Sequence, residues 1–235
     1  MEKTKQKYLG ESDQNKGLPQ PPLTQGAEGL PIIDLPDPKS MQAPAIDLTQ
    51  AINQRKSWRK YSEQALTLSE LSYLLWCTQG VKEVTIRPAT LRTVPSGGSR
   101  HPFETYLLIN RVEGLAPGLY RFVSVGHQLV PIDLSEGVSE RITHAAGKQV
   151  FVQNSAVTFI WVAVAYRTVW RYQERGYRDL FLDAGHVCQN LYLAAEAVDS
   201  GCCAIASYDD DEINELLGLD GVEQFVIYLA ALGKK

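Results

Sequence analysis

The sequence has no apolar run long enough to cross a bilayer. Its most apolar stretch, AVTFIWVAVAY (156–166), has eleven residues, against the roughly 20 that a spanning helix needs. The opening MEKTKQKYLGESDQNKG carries no apolar segment of the kind a secretion signal requires, so the expected setting is cytoplasmic. A basic block is also missing. The 23 Lys and Arg are outnumbered by 27 Asp and Glu, for a formal net charge of −4, which argues against nonspecific nucleic-acid or anionic-membrane binding as the main task. The four cysteines (Cys77, Cys188, Cys202, Cys203) form no CxxC pair and the four histidines are scattered. Buried free thiols are therefore expected and a metal site is not. There is no GxSxG elbow and no GK[ST] phosphate loop.

What remains is a chain of 235 residues with 44% hydrophobic positions, enough to bury roughly 70–75% of the surface its unfolded form exposes. Seven of its twelve prolines fall in the first 45 residues, a stretch that cannot be regular helix or central strand. We divide the chain into a proline-rich, partly disordered N-terminal extension (1–45) and a globular domain (46–235). Residues 1–28 read as mobile, and LPIIDLPDP (30–38) as an extended piece lying over a surface, such as that of a partner subunit.

Along the domain, DLTQAINQR predicts a short helix from Asp47. Thr67 and Glu70 form a capping-box pattern that opens a helix over 68–79, with Gly80 placed for a left-handed cap. Strands are expected at 103–110, 118–122, 127–132 and 223–232, with VTFIWVAVA (157–165) as a central strand apolar on both faces. Helices are expected at 136–146, at 179–199 (buried, stopped by Gly201) and from the acidic run Asp209–Glu212. Helices and strands without a βαβ repeat indicate an α+β fold.

Three segments have chemical potential. Arg55-Lys56-Ser57-Trp58-Arg59 places two guanidiniums and a hydroxyl at alternate positions of an extended piece, suited to a phosphate or planar anion; it reads equally as a solvated basic helix end. Pro95-Ser96-Gly97-Gly98-Ser99 allows positive φ and close backbone approach, as in an anion-binding nest or an ordinary turn. Gly201–Tyr208 (GCCAIASY) runs from a helix into a loop of small residues, where a ligand ring can lie against backbone N–H groups, or where a helix end is tightly packed. His186, Gln189 and Asn190 read as satisfied core polar groups.

Taken in order, IDLPDP (33–38), RKSWRKY (55–61), LSELSYLLWCTQGV (68–81), RTVPSGGSRHPFETYLLI (92–109), GLYRF (118–122), ERGYRDLFLDAGHVCQNLYLAAEAV (174–198) and AIASYDDDEINELLGL (204–219) resemble the FMN-dependent nitroreductase superfamily, specifically its SagB/ThcOx-type branch. The resemblance implies an antiparallel sheet flanked by helices and an intertwined homodimer with FMN at its interface. It also implies residue roles. Arg55 and Ser57, within the run that includes Lys56, would meet the FMN phosphate and ribityl chain, and Arg59 the N1/O2 edge. Pro95 to Ser99 would be lent by the partner subunit. The backbone of Ala206 and Ser207 would approach N5, and Gln149 the pyrimidine edge. Tyr172 is the candidate acid/base. Arg171 departs from the pattern, since azoline-oxidising members carry Lys there, and arginine cannot serve as a base. The implied activity is hydride transfer through flavin N5, with NAD(P)H as the donor and a small molecule as the acceptor. Azoline-to-azole dehydrogenation of a peptide, or a non-catalytic flavin-binding scaffold role, are the alternatives.

Overall fold

Strand β7 (Val157–Val164) carries apolar residues on both faces because both faces are covered. Phe159 and Trp161 enter one apolar layer, Ile160 and Val162 the other. The computed structural model describes residues 1–41 and 46–235. Pro44 and the expected boundary at residue 45 lie outside the described residues.

Strand β7 sits near the middle of a seven-stranded sheet with β1 (Ile33–Asp34), β4 (Phe103–Ile109), β5 (Gly118–Val123), β6 (Gln128–Asp133), β8 (Ser200–Ile205) and β9 (Gln224–Lys234). The order is β1-β6-β5-β4-β7-β9-β8 and every pairing is antiparallel. Helices α2 (Leu68–Gln79) and α5 (Gly176–Ala197) cover one face through Leu71, Leu74, Leu75, Leu180, Val187 and Leu191. Helices α3 (Val138–Ala145) and α6 (Asp210–Leu216) cover the other through Ile142 and Ile213. Two short helices complete the set, α1 (Leu48–Gln54) and α4 (Tyr166–Tyr172). This is the expected α+β architecture, an antiparallel sheet flanked by helices. Among the described residues, no helix is long and apolar enough to cross a membrane.

The helix starts follow their local chemistry. Thr67 Oγ1 accepts from Glu70 N (3.2 Å) and Glu70 Oε2 from Thr67 N (2.9 Å), closing the capping box. Asp209 caps α6 by accepting from Glu212 N at 2.9 Å.

Several expectations are corrected. Gly80 is not left-handed (φ −58°, ψ 130°); its missing Cβ makes room for Trp76, whose ring atoms would lie 2.5 Å from it. Gly201 does not stop α5. It is buried in β8, a strand where the small residues predict a loop, and a Cβ there would meet Trp58 at 2.4 Å. A hairpin of β2 (Val81–Val84) and β3 (Thr90–Arg92) also went unforeseen. Helix α5 is buried along one side, but Phe181 (66% exposed), Leu182 (62%), His186 and Gln189 face outward in the single chain.

The N-terminal extension also departs from the mobile reading of residues 1–28. Two short 3-10 turns (Glu2–Thr4 and Gln6–Tyr8) are followed by a segment tied to α4 and its surroundings. Gln14 N donates to Trp170 O (3.0 Å), and Gly10 exchanges two hydrogen bonds with the Gln173 side chain. Local composition cannot show such bonds, because their donors and acceptors lie some 150 positions away along the chain. Further on, Ile33 pairs with Leu129, so the 30–38 piece extends this chain's own sheet edge.

Candidate functional site

Residues 55–59 leave α1 and run beside β8. Ser57 bridges to Cys202, and Trp58 N donates to Cys202 O at 2.9 Å. Tyr61 OH secures the turn beyond by donating to Trp58 O (2.8 Å) and Ala231 O (3.0 Å). Two glycines permit this approach: Gly201 under Trp58 and Gly233 under Tyr61.

Alternate side chains of the run share one rim. The Arg55 guanidinium lies 5.2 Å from the Tyr192 ring centroid, and Ser57 Oγ is 3.2 Å from Tyr192 OH. Tyr192 OH also accepts from Ala204 N at 2.8 Å, linking the run to β8. Arg59 lies 5.8 Å from the Phe151 ring. Lys56 turns instead toward Trp58, 4.6 Å from its ring. None of Arg55, Lys56 and Arg59 forms an ion pair among the described residues.

Beyond β8, Ala206 and Ser207 are exposed. Their backbone N–H groups donate to no turn, loop or side-chain acceptor among the described residues. Gln149 sits beside them, with Nε2 donating to Ser207 O (3.1 Å) and Ala146 O (2.9 Å). Gly147 is left-handed (φ 71°) and a Cβ there would meet Ser207 O at 3.0 Å. One rim therefore offers fixed positive charge, a hydroxyl and two main-chain donors. That set suits an anion-bearing group with a flat, acceptor-rich edge, and FMN fits it.

The Pro95–Ser99 loop lies elsewhere on the same chain. Ser96 Oγ donates to Asp183 Oδ2 (2.5 Å), Gly97 N to Asp183 Oδ1 (3.3 Å), and His101 N to Ser96 Oγ (2.9 Å). Burial holds the Asp183 carboxyl above its usual range, with the bonds from Ser96 and Gly97 opposing. Gly98 is left-handed (φ 57°), and a Cβ would come within 2.3 Å of Tyr172 OH. Asp183 and Tyr192 are nine positions apart on α5, a rise of about 14 Å. The structure thus sets Arg55 and Ser57 on Tyr192, Arg59 on Phe151 and Gln149 on Ser207 along β8 and its end, and separately places the Pro95–Ser99 loop beside Tyr172. It does not join the two groups within one chain.

Tyr192 and Asp183 were missed in the sequence. Each is one of several polar positions on α5, and nothing local marks it out from the others. The thiols are free, and burial pushes Cys188 up to about 12 and Cys202 well above its ordinary value.

The sequence pattern of the Nitroreductase family matches residues 52–234. The chain belongs to the nitroreductase family. MJ1384 of Methanocaldococcus jannaschii, named a nitroreductase, is 33% identical over 202 residues, covering 85% of this chain and 98% of that protein. The microcin B17-processing protein McbC of Escherichia coli is 27% identical over 143 residues, covering 55% of this chain and 49% of McbC. A solved nitroreductase-type structure from Anabaena variabilis superposes with a TM-score of 0.70 at 25% identity, covering 88% of this chain and 42% of that one. A nitroreductase-type structure from Desulfovibrio desulfuricans, solved in complex with FMN, shares the fold of this nitroreductase-family chain (TM-score 0.56, 16% identity, 81% and 87% coverage).

Proposed function

We propose that this chain is an FMN-dependent oxidoreductase that works as a homodimer, with NAD(P)H as hydride donor and a small organic molecule as acceptor. One observation carries the reading: the run that bears Arg55, Ser57 and Arg59 lies against β8 at Cys202, and β8 ends at Ile205, directly before the exposed Ala206 and Ser207. When bound, FMN would supply two-electron hydride chemistry.

The chain's own residues do the rest. Arg55 and Ser57, braced by Tyr192, hold the phosphate and ribityl end. Arg59 supplies a permanent positive charge, because a guanidinium keeps its proton at any working pH; that charge favours the more electron-rich form of whatever ring it faces. The Ala206 and Ser207 amides donate to the ring's acceptor edge, and Gln149 keeps its Oε1 for the ring's donor. Pro95–Ser99 and Tyr172 complete the site from the second subunit, with Tyr172 holding the proton that the acceptor takes.

An anaerobic spectrum before and after NADPH or NADH tests the assignment. The expected result is a flavin band that bleaches with a nucleotide; no band even after FMN is added overturns it. Arg59→Ala is expected to bind FMN more weakly and to lower its reduction potential. Full FMN occupancy at an unchanged potential removes Arg59 from its role.

The similarity to McbC favours a second reading, within the SagB/ThcOx-type branch: azoline-to-azole dehydrogenation of a peptide. Arg171 counts against it, since a guanidinium cannot act as the base that a lysine can. A flavin band that neither nucleotide bleaches, but that a thiazoline-containing peptide does, selects this reading over the first.

A further inference from the structure

Residues 18–26 are held by bonds that the candidate site does not use. None of them is buried, so apolar burial does little to keep them in place. The domain grips their main chain instead. Trp170 Nε1 donates to Leu18 O (3.0 Å), Arg167 Nε to Pro22 O (2.9 Å) and Arg92 Nη2 to Leu23 O (3.4 Å). Arg121 Nη1 and Nη2 donate to Gln25 O (3.1 Å) and Gly26 O (2.6 Å). In return, Gln25 N donates to Glu104 Oε1 (2.7 Å).

The gripping side chains form a groove from β3, β4, β5 and α4, and they are deeply buried: Arg92 is 4% exposed, Glu104 2%, Arg121 1% and Arg167 3%. Arg121 and Arg167 thus share one carboxylate, Glu104 (4.0 and 2.5 Å), while Arg92 donates to Gln79 Oε1 (2.8 Å) and Thr90 Oγ1 (3.0 Å). Each guanidinium carries five N–H donors, more than Glu104 can accept, and buried charge without partners is costly. Carbonyls of the segment take up part of the surplus, and Arg167 Nη1 still has no partner among the described residues. The groove calls for an extended, acceptor-rich occupant. Pro19, Pro21 and Pro22 hold the segment extended in advance, which lowers the ordering cost of binding. Most of these bonds go to the main chain, and two side chains add to them: Gln20 Nε2 donates to Pro88 O (2.7 Å) and Thr24 Oγ1 lies 3.4 Å from Ser124 Oγ.

We propose that this groove is a binding site for an extended peptide, occupied in cis by residues 18–26 and open to a peptide supplied in trans. The proposal goes beyond the flavin reading and does not depend on it.

The test uses the full-length chain carrying Gln25→Pro, which removes the N–H that Glu104 accepts and leaves every groove residue in place. The probe is a fluorescein-labelled peptide of residues 17–30 (GLPQPPLTQGAEGL), followed by fluorescence polarisation. Saturable binding is expected, at least tenfold tighter than to the unmodified chain, whose own segment competes. The same peptide with proline at the Gln25 position is expected to bind at least tenfold more weakly, and Arg121→Gln added to the Gln25→Pro chain to abolish binding. No saturable binding to the Gln25→Pro chain, or equal binding of the two peptides, overturns the proposal. Should that variant not fold, hydrogen exchange of the unmodified chain decides. The bonded amides of Gln14, Leu18 and Gln25 are expected to exchange at least 100-fold faster than those of β4 and β7. Equal rates would make the segment part of the core and end the proposal. FMN binding is read separately and is not prejudged by either result.

Discussion

Tyr192 joins three parts of the candidate site through one side chain: its ring carries Arg55, and its hydroxyl meets Ser57 and the Ala204 N–H. Tyr192→Phe keeps the ring and leaves that N–H without its acceptor, at a cost of about 1–2 kcal/mol. In a chain of this size that lowers Tm by about 2–4 °C per kcal/mol, readable by calorimetry, and FMN affinity should fall because Ser57 loses its brace. An unchanged Tm would mean that water replaces the hydroxyl. His101 gives a pH prediction. Burial, then the charges of Arg92 and Arg100, push it from 6.5 down to about 3, against a bond to Thr90. Its folded pKa lies below the unfolded value, so the unfolded chain binds the proton first. This contribution to stability is present above pH 6.5 and is lost as pH falls from 6.5 toward 3, with a limiting slope of about 1.4 kcal/mol per pH unit. Denaturant titrations at pH 7, 5.5 and 4.5 should show a steeper loss for the unmodified chain than for His101→Asn; parallel curves would remove His101 as the cause. Neither role is visible in the sequence, because Tyr192 and His101 owe their surroundings to residues far along the chain.

At the scale of elements, the junction of the 55–61 run with β8 is set by glycine. A methyl at Gly201 would lie 2.4–2.5 Å from Trp58 atoms, so Gly201→Ala must displace either the indole or the strand. Overpacking of this kind costs about 1–3 kcal/mol. Chemical denaturation should show that loss, and Trp58→Ala in the same chain should recover part of it; additive losses would show that the two residues do not compete for space. The same junction explains what could be read from the sequence. Helix α2 has a capping box and an apolar face, and β7 is a dense β-branched and aromatic run, so both were legible. Strand β8 (SGCCAI) is mostly small residues, with the Trp58 indole over Gly201, and small residues carry neither helical nor strand periodicity. Gly80 and Gly201 were read for backbone freedom, whereas both serve close approach to a tryptophan. The cation run was legible as charge at alternate positions. That it meets Tyr192 rather than solvent is a tertiary fact.

At the scale of the whole molecule, one chain holds the two halves of the candidate site apart. The cation rim is at Tyr192, while the Pro95–Ser99 loop is bound to Asp183 and Tyr172 nearer the start of α5. The same end of α5 leaves Phe181 and Leu182 exposed, apolar surface of the sort that a second copy covers. If each site takes its rim from one subunit and its loop from the other, two different defects can complement. Arg59→Ala damages the rim; Gly98→Val damages the loop, since its φ of 57° and the nearby Tyr172 hydroxyl leave no room for a side chain. In a heterodimer of the two, one site carries both defects and the other carries neither. Each variant alone should bind little FMN. After co-expression and tandem-tag purification, the heterodimer should bind about one FMN per dimer, with the affinity of the unmodified protein. A site built within a single chain predicts the opposite: every site in the mixture keeps one defect, and tight FMN binding does not return. Co-purification without recovered binding would therefore keep the dimer and assign the loop to the same chain as the rim.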